Sequence, residues 1–236
     1  MEVQIAAAKI NKYAVSESGD TLEVIERPNG GLSAVLADGQ TSGQGAKAVS
    51  MLVVRKVITL LAEGVRDGAA ARAASDALYT EKKGKVSCTL NIVSIDLQTA
   101  TVVLTRNNPA PVFITNGEKV DCLQAESMPL GISRSVRPII TEIAVEAGLT
   151  IILFTDGLVH AGKGHGQSMD ICGSIQSMLE EQDPSPQEIA DSLLAHAVRL
   201  DDGRPVDDIS VVVLKVIQNQ DDEVRRMTVR VPISVA

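Results

Sequence analysis

Short blocks of apolar residues, bounded by Gly, Asn, Asp and Thr, recur along the chain, a pattern typical of buried β-strands. Such blocks predict strands at residues 32–37, 141–145, 150–155 and 209–217. A weaker alternation of apolar and polar positions over residues 3–16 predicts an edge strand.

Two hairpins are predicted in the middle of the chain. Residues 87–96 and 100–105 alternate on either side of a short polar turn and form the first hairpin. Residues 112–115 lead into Asn116-Gly117 and begin the second, because Asn-Gly supplies the positive φ angles of a tight turn.

Helical spacing of apolar or small residues replaces alternation in four other segments. They are residues 45–61, 67–79, 168–180 and 186–200. The last begins with Pro186, which suits the first helical position, and Ser185 before it is a plausible cap.

The order of these elements predicts the fold class. Strands and helices follow one another in groups rather than as regular βαβ units, which favours an α+β or layered architecture. No linker precedes Gln218, so residues 1–217 are predicted to form one domain. Residues 218–236 are predicted to be a linker and arm, in which 227–235 alternates like a strand but Pro232 restricts it to an edge or arm.

Composition and charge narrow the classes of partner. Aromatic residues make up 2% of the 236 residues, Trp is absent and the formal charge is −8, so a nucleic-acid partner is not expected. No stretch approaches the roughly 20 apolar residues of a membrane span, and the first ten residues lack a secretory pattern. We therefore expect a cytoplasmic protein without a membrane partner.

The candidate chemistry lies in aspartates beside predicted strands. Asp38 and Asp156 each end an apolar block and precede a glycine, Asp207 and Asp208 precede the last strand, and Asp20 lies in a Ser-Gly-Asp segment. Carboxylates that converge repel one another unless a cation neutralises them. Hard oxygen ligands favour Mg²⁺ or Mn²⁺ over zinc.

Each of these segments has a simpler interpretation when taken alone. Asp-Gly after a strand is usually only a turn, and Asp207-Asp208 alone is more often a solvated loop. Two other hydrolase classes fit poorly. A haloacid-dehalogenase phosphatase needs an aspartate where Leu158 stands, and a serine hydrolase needs a Gly-x-Ser-x-Gly elbow that the chain lacks.

The order of the segments resembles the PPM family, the metal-dependent Ser/Thr protein phosphatases, and within it the bacterial SpoIIE-like branch. Residues 37–46 (ADGQTSGQGA) resemble its Asp-Gly-x-Gly-x-Gly-x-x-Ala motif. Residues 156–161 (DGLVHA) resemble its Asp-Gly-apolar-x-Glu-Ala run, and 207–212 (DDISVV) resemble its terminal Asp-Asp motif. The resemblance covers about residues 11–216, and no sensor domain precedes it, so the chain is most similar to the stand-alone stressosome phosphatase of the RsbX type.

This resemblance implies a fold and a ligand set. The fold would be an αββα sandwich, with two mostly antiparallel sheets face to face and helices outside. Asp38 would bridge two metal ions. Asp156 and Asp207 would complete one ion, and Asp20 with the carbonyl of Gly39 would complete the other.

The resemblance also implies an activity. Asp208 would lie outside the direct ligand sphere or act as a substitute ligand. With two ions of Mn²⁺ or Mg²⁺, as the resemblance implies, the catalytic aspartates Asp38, Asp156 and Asp207 would support two-metal hydrolysis of phosphoserine or phosphothreonine. The substrate would be a phosphorylated bacterial signalling protein, such as a stressosome scaffold protein.

Three departures from the family pattern keep an alternative open. Thr41 stands where a Gly is expected, Ser42 where His is often seen, and His160 where the family has an acidic residue. They motivate a second hypothesis, a weak or inactive pseudophosphatase that serves as a binding module. His160 itself is either a general acid toward the leaving oxygen or merely an exposed residue.

Overall fold

The computed structural model describes residues 1–117, 119–218 and 223–232. Within these residues ten strands form two antiparallel five-stranded sheets. In chain order the strands are β1 (Glu2–Ile10), β2 (Asp20–Glu26), β3 (Leu32–Gly39), β4 (Cys88–Asp96), β5 (Thr101–Asn107), β6 (Val112–Asn116), β7 (Val120–Leu123), β8 (Ile139–Ala144), β9 (Leu149–Phe154) and β10 (Ile209–Ile217).

The strand order of the first sheet is β1-β10-β9-β6-β7, and that of the second is β2-β3-β4-β5-β8. The edge position of β1 and the β4–β5 and β6–β7 hairpins confirm the sequence-based predictions. The second strand, β2, is not predicted. Glu23 and Glu26 interrupt its apolar positions, so the segment lacks a recognisable buried run.

Helices cover the outer faces of the sheets. They are α1 (Gly43–Ala62), α2 (Asp67–Lys82), α3 (Asp156–His160), α4 (Ile171–Glu181) and α5 (Pro186–Leu200). The four predicted helices are confirmed, and α5 begins with a capping box in which Ser185 and Glu188 each bind the other's backbone amide. The short helix α3 is too brief for a periodic pattern and is not predicted.

Three apolar clusters hold these layers together. The central one joins the facing sheets and includes Leu36 and Val93 of the second sheet with Leu153 and Val212 of the first. A second cluster packs α1 and α2 against the second sheet, and a third packs α4 and α5 against the first. The structure is therefore the αββα sandwich that the family resemblance implied, and the α+β class is confirmed.

The C-terminal segment forms no strand where the structure describes it. Residues 223–232 contain no strand, so of the two forms expected for 227–235, an edge strand or an arm, the described part does not form the strand, and residues 233–235 lie outside the described residues. Arg225 contacts the body of the protein by donating a hydrogen bond to the carbonyl of Gly30 at 3.0 Å. The domain division at residue 217 stays a prediction. Within the described residues no helix is both long and apolar enough to cross a membrane.

Candidate functional site

Asp20 and Asp38 lie opposite each other at one end of the second sheet. They are register partners at the start of β2 and near the end of β3. Asp20 is fully buried, whereas Asp38 is half-buried. The pairing of β2 with β3 therefore holds two carboxylates side by side.

The carboxylate of Asp20 links the two sheets. Its Oδ2 accepts hydrogen bonds from Oγ1 of Thr155 at 3.0 Å and from Oγ of Ser210 at 2.6 Å, and both donors lie in or next to strands of the first sheet. Burial raises the pKa of Asp20 to about 6, although these hydrogen bonds act in the opposite direction. Oδ1 of Asp20 is buried and receives no hydrogen bond.

A second pair of carboxylates reaches the same edge from the first sheet. Asp156 begins α3 directly after β9, and Asp207 lies on the loop before β10. Their carboxylate oxygens and an imidazole nitrogen of His160 all lie within 4.8 Å of one another. The three side chains are half-buried, so solvent ions can reach them.

The carboxylate of Asp38 interacts electrostatically with the aspartates of both sheets. Burial, followed by the carboxylates of Asp20, Asp156 and Asp207, raises the pKa of Asp38 to about 9. Asp38 and Asp20 can hydrogen-bond to each other only when one of them carries a proton. The arrangement therefore calls for positive charge, and oxygen-rich, partly hydrated surroundings suit Mg²⁺ or Mn²⁺. The residues present fit a divalent cation.

Gly39 has a packing reason to be glycine. A Cβ atom on Gly39 would lie 2.1 Å from the carbonyl oxygen of Ala46 in α1, so only glycine permits this approach of β3 to α1. The carbonyl oxygen of Gly39 lies 3.6 Å from the position of a Cβ on Gly19, and therefore faces the segment that carries Asp20. A ligand role for this carbonyl stays a prediction.

The carboxylate of Asp208 accepts hydrogen bonds from backbone amides, so it is not free to join the cluster of the other aspartates. Its Oδ1 accepts from the amide of Lys12 at 2.9 Å, and its Oδ2 accepts from the amide of Gly19 at 2.8 Å. It thereby holds residues 12–19 against the start of β10. Of the two roles the resemblance offered, this geometry favours the one outside the direct ligand sphere.

Sequence reasoning missed the groups that support Asp20. Thr155 and Ser210 are adjacent to predicted ligands within their motifs, but nothing in the sequence indicates that both hydroxyls meet Asp20. Lys9 and Lys47, on β1 and α1, donate to the backbone carbonyl of Asp20 at 2.7 and 2.8 Å. Their partner depends on how distant elements pack, so no local pattern could have identified them.

Thr41 adopts a backbone conformation that threonine rarely takes. Its φ is +88°, in the region that favours glycine. Thr41 is the residue that replaces a glycine of the family motif, and its positive φ is a strained conformation for a β-branched residue.

Comparison with known proteins identifies the family and agrees with this fold. The family model described as stage II sporulation protein E (SpoIIE) matches residues 28–217. The chain belongs to the SpoIIE family. Stage II sporulation protein E of Priestia megaterium is 29% identical over 202 residues, which are 86% of this chain and 34% of that protein. The chain spans about a third or less of the length of the curated relatives it matches.

Solved structures of the SpoIIE family share the fold. The PP2C phosphatase domain of SpoIIE from Bacillus subtilis, solved with a fragment of its regulatory domain, has a TM-score of 0.79 and 26% identity, and covers 93% of this chain and 64% of that one. More distant neighbours show the fold alone. RsbX in complex with magnesium has a TM-score of 0.66 and 16% identity, covering 90% of this chain and 94% of its own. The PstP catalytic domain in complex with two manganese ions has a TM-score of 0.69 and 18% identity, and the match covers 92% of this chain and 99% of that one.

Proposed function

We propose that this chain is a metal-dependent protein phosphatase that hydrolyses phosphoserine or phosphothreonine on a protein substrate. The observation that carries the proposal is the convergence of four carboxylates, from Asp20, Asp38, Asp156 and Asp207, at one edge of both sheets. Membership of the SpoIIE family and similarity to a PP2C phosphatase domain support the same activity.

Each carboxylate has a proposed part in holding two ions. Asp38 would bridge them, Asp156 and Asp207 would hold one, and Asp20 with the carbonyl of Gly39 would hold the other. Mn²⁺ or Mg²⁺ bound there would supply Lewis acidity toward phosphoryl oxygens and an activated water at neutral pH. The chain itself orients one of these carboxylates, because hydroxyl donors restrict the rotation of Asp20, and amide donors hold Asp208 next to the segment that carries it.

The substrate proposed is a phosphorylated bacterial signalling protein in the cytoplasm. Stressosome scaffold proteins are one candidate set, and a role of the RsbX type belongs to the same proposal. The motif order motivates this setting, while the similarity to RsbX at 16% identity concerns the fold alone.

Phosphate release from phosphorylated candidate proteins tests the proposal. The purified chain is incubated with a panel that includes stressosome scaffold proteins, with EDTA and then with added Mn²⁺ or Mg²⁺. We expect release from at least one phosphoprotein, loss of release in EDTA and recovery with metal. Full activity in the chelator would contradict the proposed mechanism.

A pseudophosphatase is the second candidate function. The strained Thr41 and the replacement of an acidic residue by His160 favour it. Hydrolysis of p-nitrophenyl phosphate with Mn²⁺ separates the two functions. A binding module would retain a phosphoprotein without hydrolysing either substrate.

A further inference from the structure

The side chains of Asp156 and His160 lie on the same face of α3. The helix begins at Asp156 and ends at His160, and residues four apart on a helix are neighbours on its surface. Asp207, from the loop before β10, approaches the same face. One short helix and one loop thus present two carboxylates and an imidazole together.

Distances within this group favour a shared cation over direct contact. Nδ1 of His160 lies 3.9 Å from Oδ2 of Asp156, which is too long for a hydrogen bond. Two ligands at about 2.1 Å from one ion lie at most roughly 4.2 Å apart, so the 3.9 Å separation of Asp156 and His160 is within the reach of a common ion. Among the described residues no hydrogen bond fixes the His160 imidazole, whose side chain is 39% exposed and can adjust to an ion.

An ion pair between His160 and Asp156 is the competing explanation. Such an exposed pair contributes little and would leave the carboxylates of Asp207 and Asp38 uncompensated. The buried Oδ1 of Asp20, which receives no hydrogen bond, is a separate indication that the adjoining Asp20–Asp38 pair also calls for a cation.

We propose that the imidazole of His160 is a metal ligand, together with Asp156 and Asp207, and biases this centre toward a divalent transition-metal ion over Mg²⁺. The proposal rests on the proposed metal-dependent function and refines its metal. An imidazole nitrogen suits transition metals, whereas Mg²⁺ prefers oxygen ligands alone. The acidic residue that the family has at this position would provide oxygen instead.

Pulsed EPR of the Mn²⁺-loaded protein tests the ligand directly, independently of activity. We expect a ¹⁴N coupling from an imidazole in the unmodified chain, its loss in His160→Gln, and its retention in the control variants His165→Gln and His196→Gln. We also expect His160→Glu to lower the ratio of Mn²⁺ to Mg²⁺ affinity by about tenfold, measured by competition titration.

The outcomes separate this proposal from the proposed function. Tight Mn²⁺ binding that Asp156→Asn removes, but without ¹⁴N coupling, would overturn the role of His160 and leave a carboxylate metal centre standing. Coupling that survives in His160→Gln would also overturn it. Failure of the unmodified chain to bind Mn²⁺ would overturn both proposals.

Discussion

At the scale of single residues, the carboxylate of Asp20 has two distinct oxygen atoms. Oδ2 is held by Ser210 and Thr155, while Oδ1 is buried without a donor. A carboxylate oriented in this way needs little reorganisation to meet a cation. The hydroxyl groups therefore belong to the proposed centre, although they are not themselves expected to bind metal.

Replacing Ser210 with Ala tests this positioning role. Loss of the hydroxyl removes a hydrogen bond that lowers the pKa of Asp20, so the carboxylate becomes harder to ionise and less well oriented. We expect Mn²⁺ affinity to fall by roughly tenfold in calorimetric titration. We also expect unfolding free energy to fall by about 1–3 kcal/mol.

Ser33→Ala is the matched control for Ser210→Ala. Ser33 is buried in the second sheet and its hydroxyl hydrogen-bonds that of Ser94 at 2.6 Å. This variant should lose stability and keep Mn²⁺ affinity. Equal metal affinity in Ser210→Ala and the unmodified chain would show that Ser210 is only structural.

Asp38 predicts a pH dependence of stability in the metal-free protein. Its folded pKa of about 9 lies above the ordinary 3.8, so the folded state binds the proton more strongly than the unfolded chain does. The free energy of unfolding therefore falls as pH rises from about 4 to about 9, and Asp38→Asn removes this loss.

Thermal unfolding in EDTA measures this effect. We expect equal Tm values for Asp38→Asn and the unmodified chain near pH 4, and a Tm higher in the variant by on the order of 5 °C at pH 8. Saturating Mn²⁺ should reverse the order, because the variant binds metal weakly. A constant Tm difference across this pH range would refute the assignment of Asp38 as the repelled carboxylate.

The positive φ of Thr41 predicts that its replacement by glycine stabilises the protein. Relief of a positive φ at a β-branched residue should outweigh the extra freedom of glycine in the unfolded chain, so Thr41→Gly should stabilise by about 1 kcal/mol in urea unfolding. Ser42 has an extended φ of −145°, so Ser42→Gly is the control and should not stabilise. An unchanged or lower stability of Thr41→Gly would mean that Thr41 carries no strain.

At the scale of elements, continuous apolar blocks predicted central strands such as β9 and β10, which are buried on both faces, and helical spacing predicted the long helices, which bury one face. The exceptions are instructive. β2 carries two exposed glutamates among its apolar residues, and α3 has only five residues. Both elements carry proposed ligands, so the aspartates were found through motifs rather than through the elements that hold them.

The segment over residues 133–138 is a candidate for the recognition of protein substrates. The segment comes shortly after Leu130, which forms an isolated β-bridge with Cys88. Cys88 is in turn the register partner of Gly39, so the segment starts close to the end of β3 that carries the proposed metal centre. Arg134 stacks on the ring of Tyr79 at 5.4 Å, while Arg137 is exposed. Arg137 is the better placed of the two to meet an acidic or phosphorylated partner.

Arg137→Ala should lower kcat/KM for an intact phosphoprotein and leave hydrolysis of p-nitrophenyl phosphate nearly unchanged. Docking supplies binding energy that a small ester cannot use. The exposed Arg199 on α5 offers a matched control, and Arg199→Ala should affect neither substrate. Equal losses on protein and small ester would place Arg137 in the chemistry or the fold rather than in docking.

At the scale of the whole molecule, the proposed site exists only because two sheets meet at one edge. Aspartates from the second sheet and from loops of the first could be identified as candidates from the sequence, and the family resemblance of their motifs implied the αββα fold. The hydroxyls of Thr155 and Ser210, the lysines at the Asp20 carbonyl and the amide partners of Asp208 could not. These contacts join residues far apart in the chain, and they depend on the packing angle and register of both sheets.

Turnover of Asp38→Asn and Asp156→Asn at saturating Mn²⁺ tests the central claim most directly. Asp38 comes from the second sheet and Asp156 from the first, so one metal centre built by both sheets requires both. We expect each variant to keep the circular dichroism of the unmodified chain and to lose at least about 100-fold in kcat toward a phosphoprotein. Near-normal turnover in either folded variant would contradict the claim that these carboxylates form one catalytic centre.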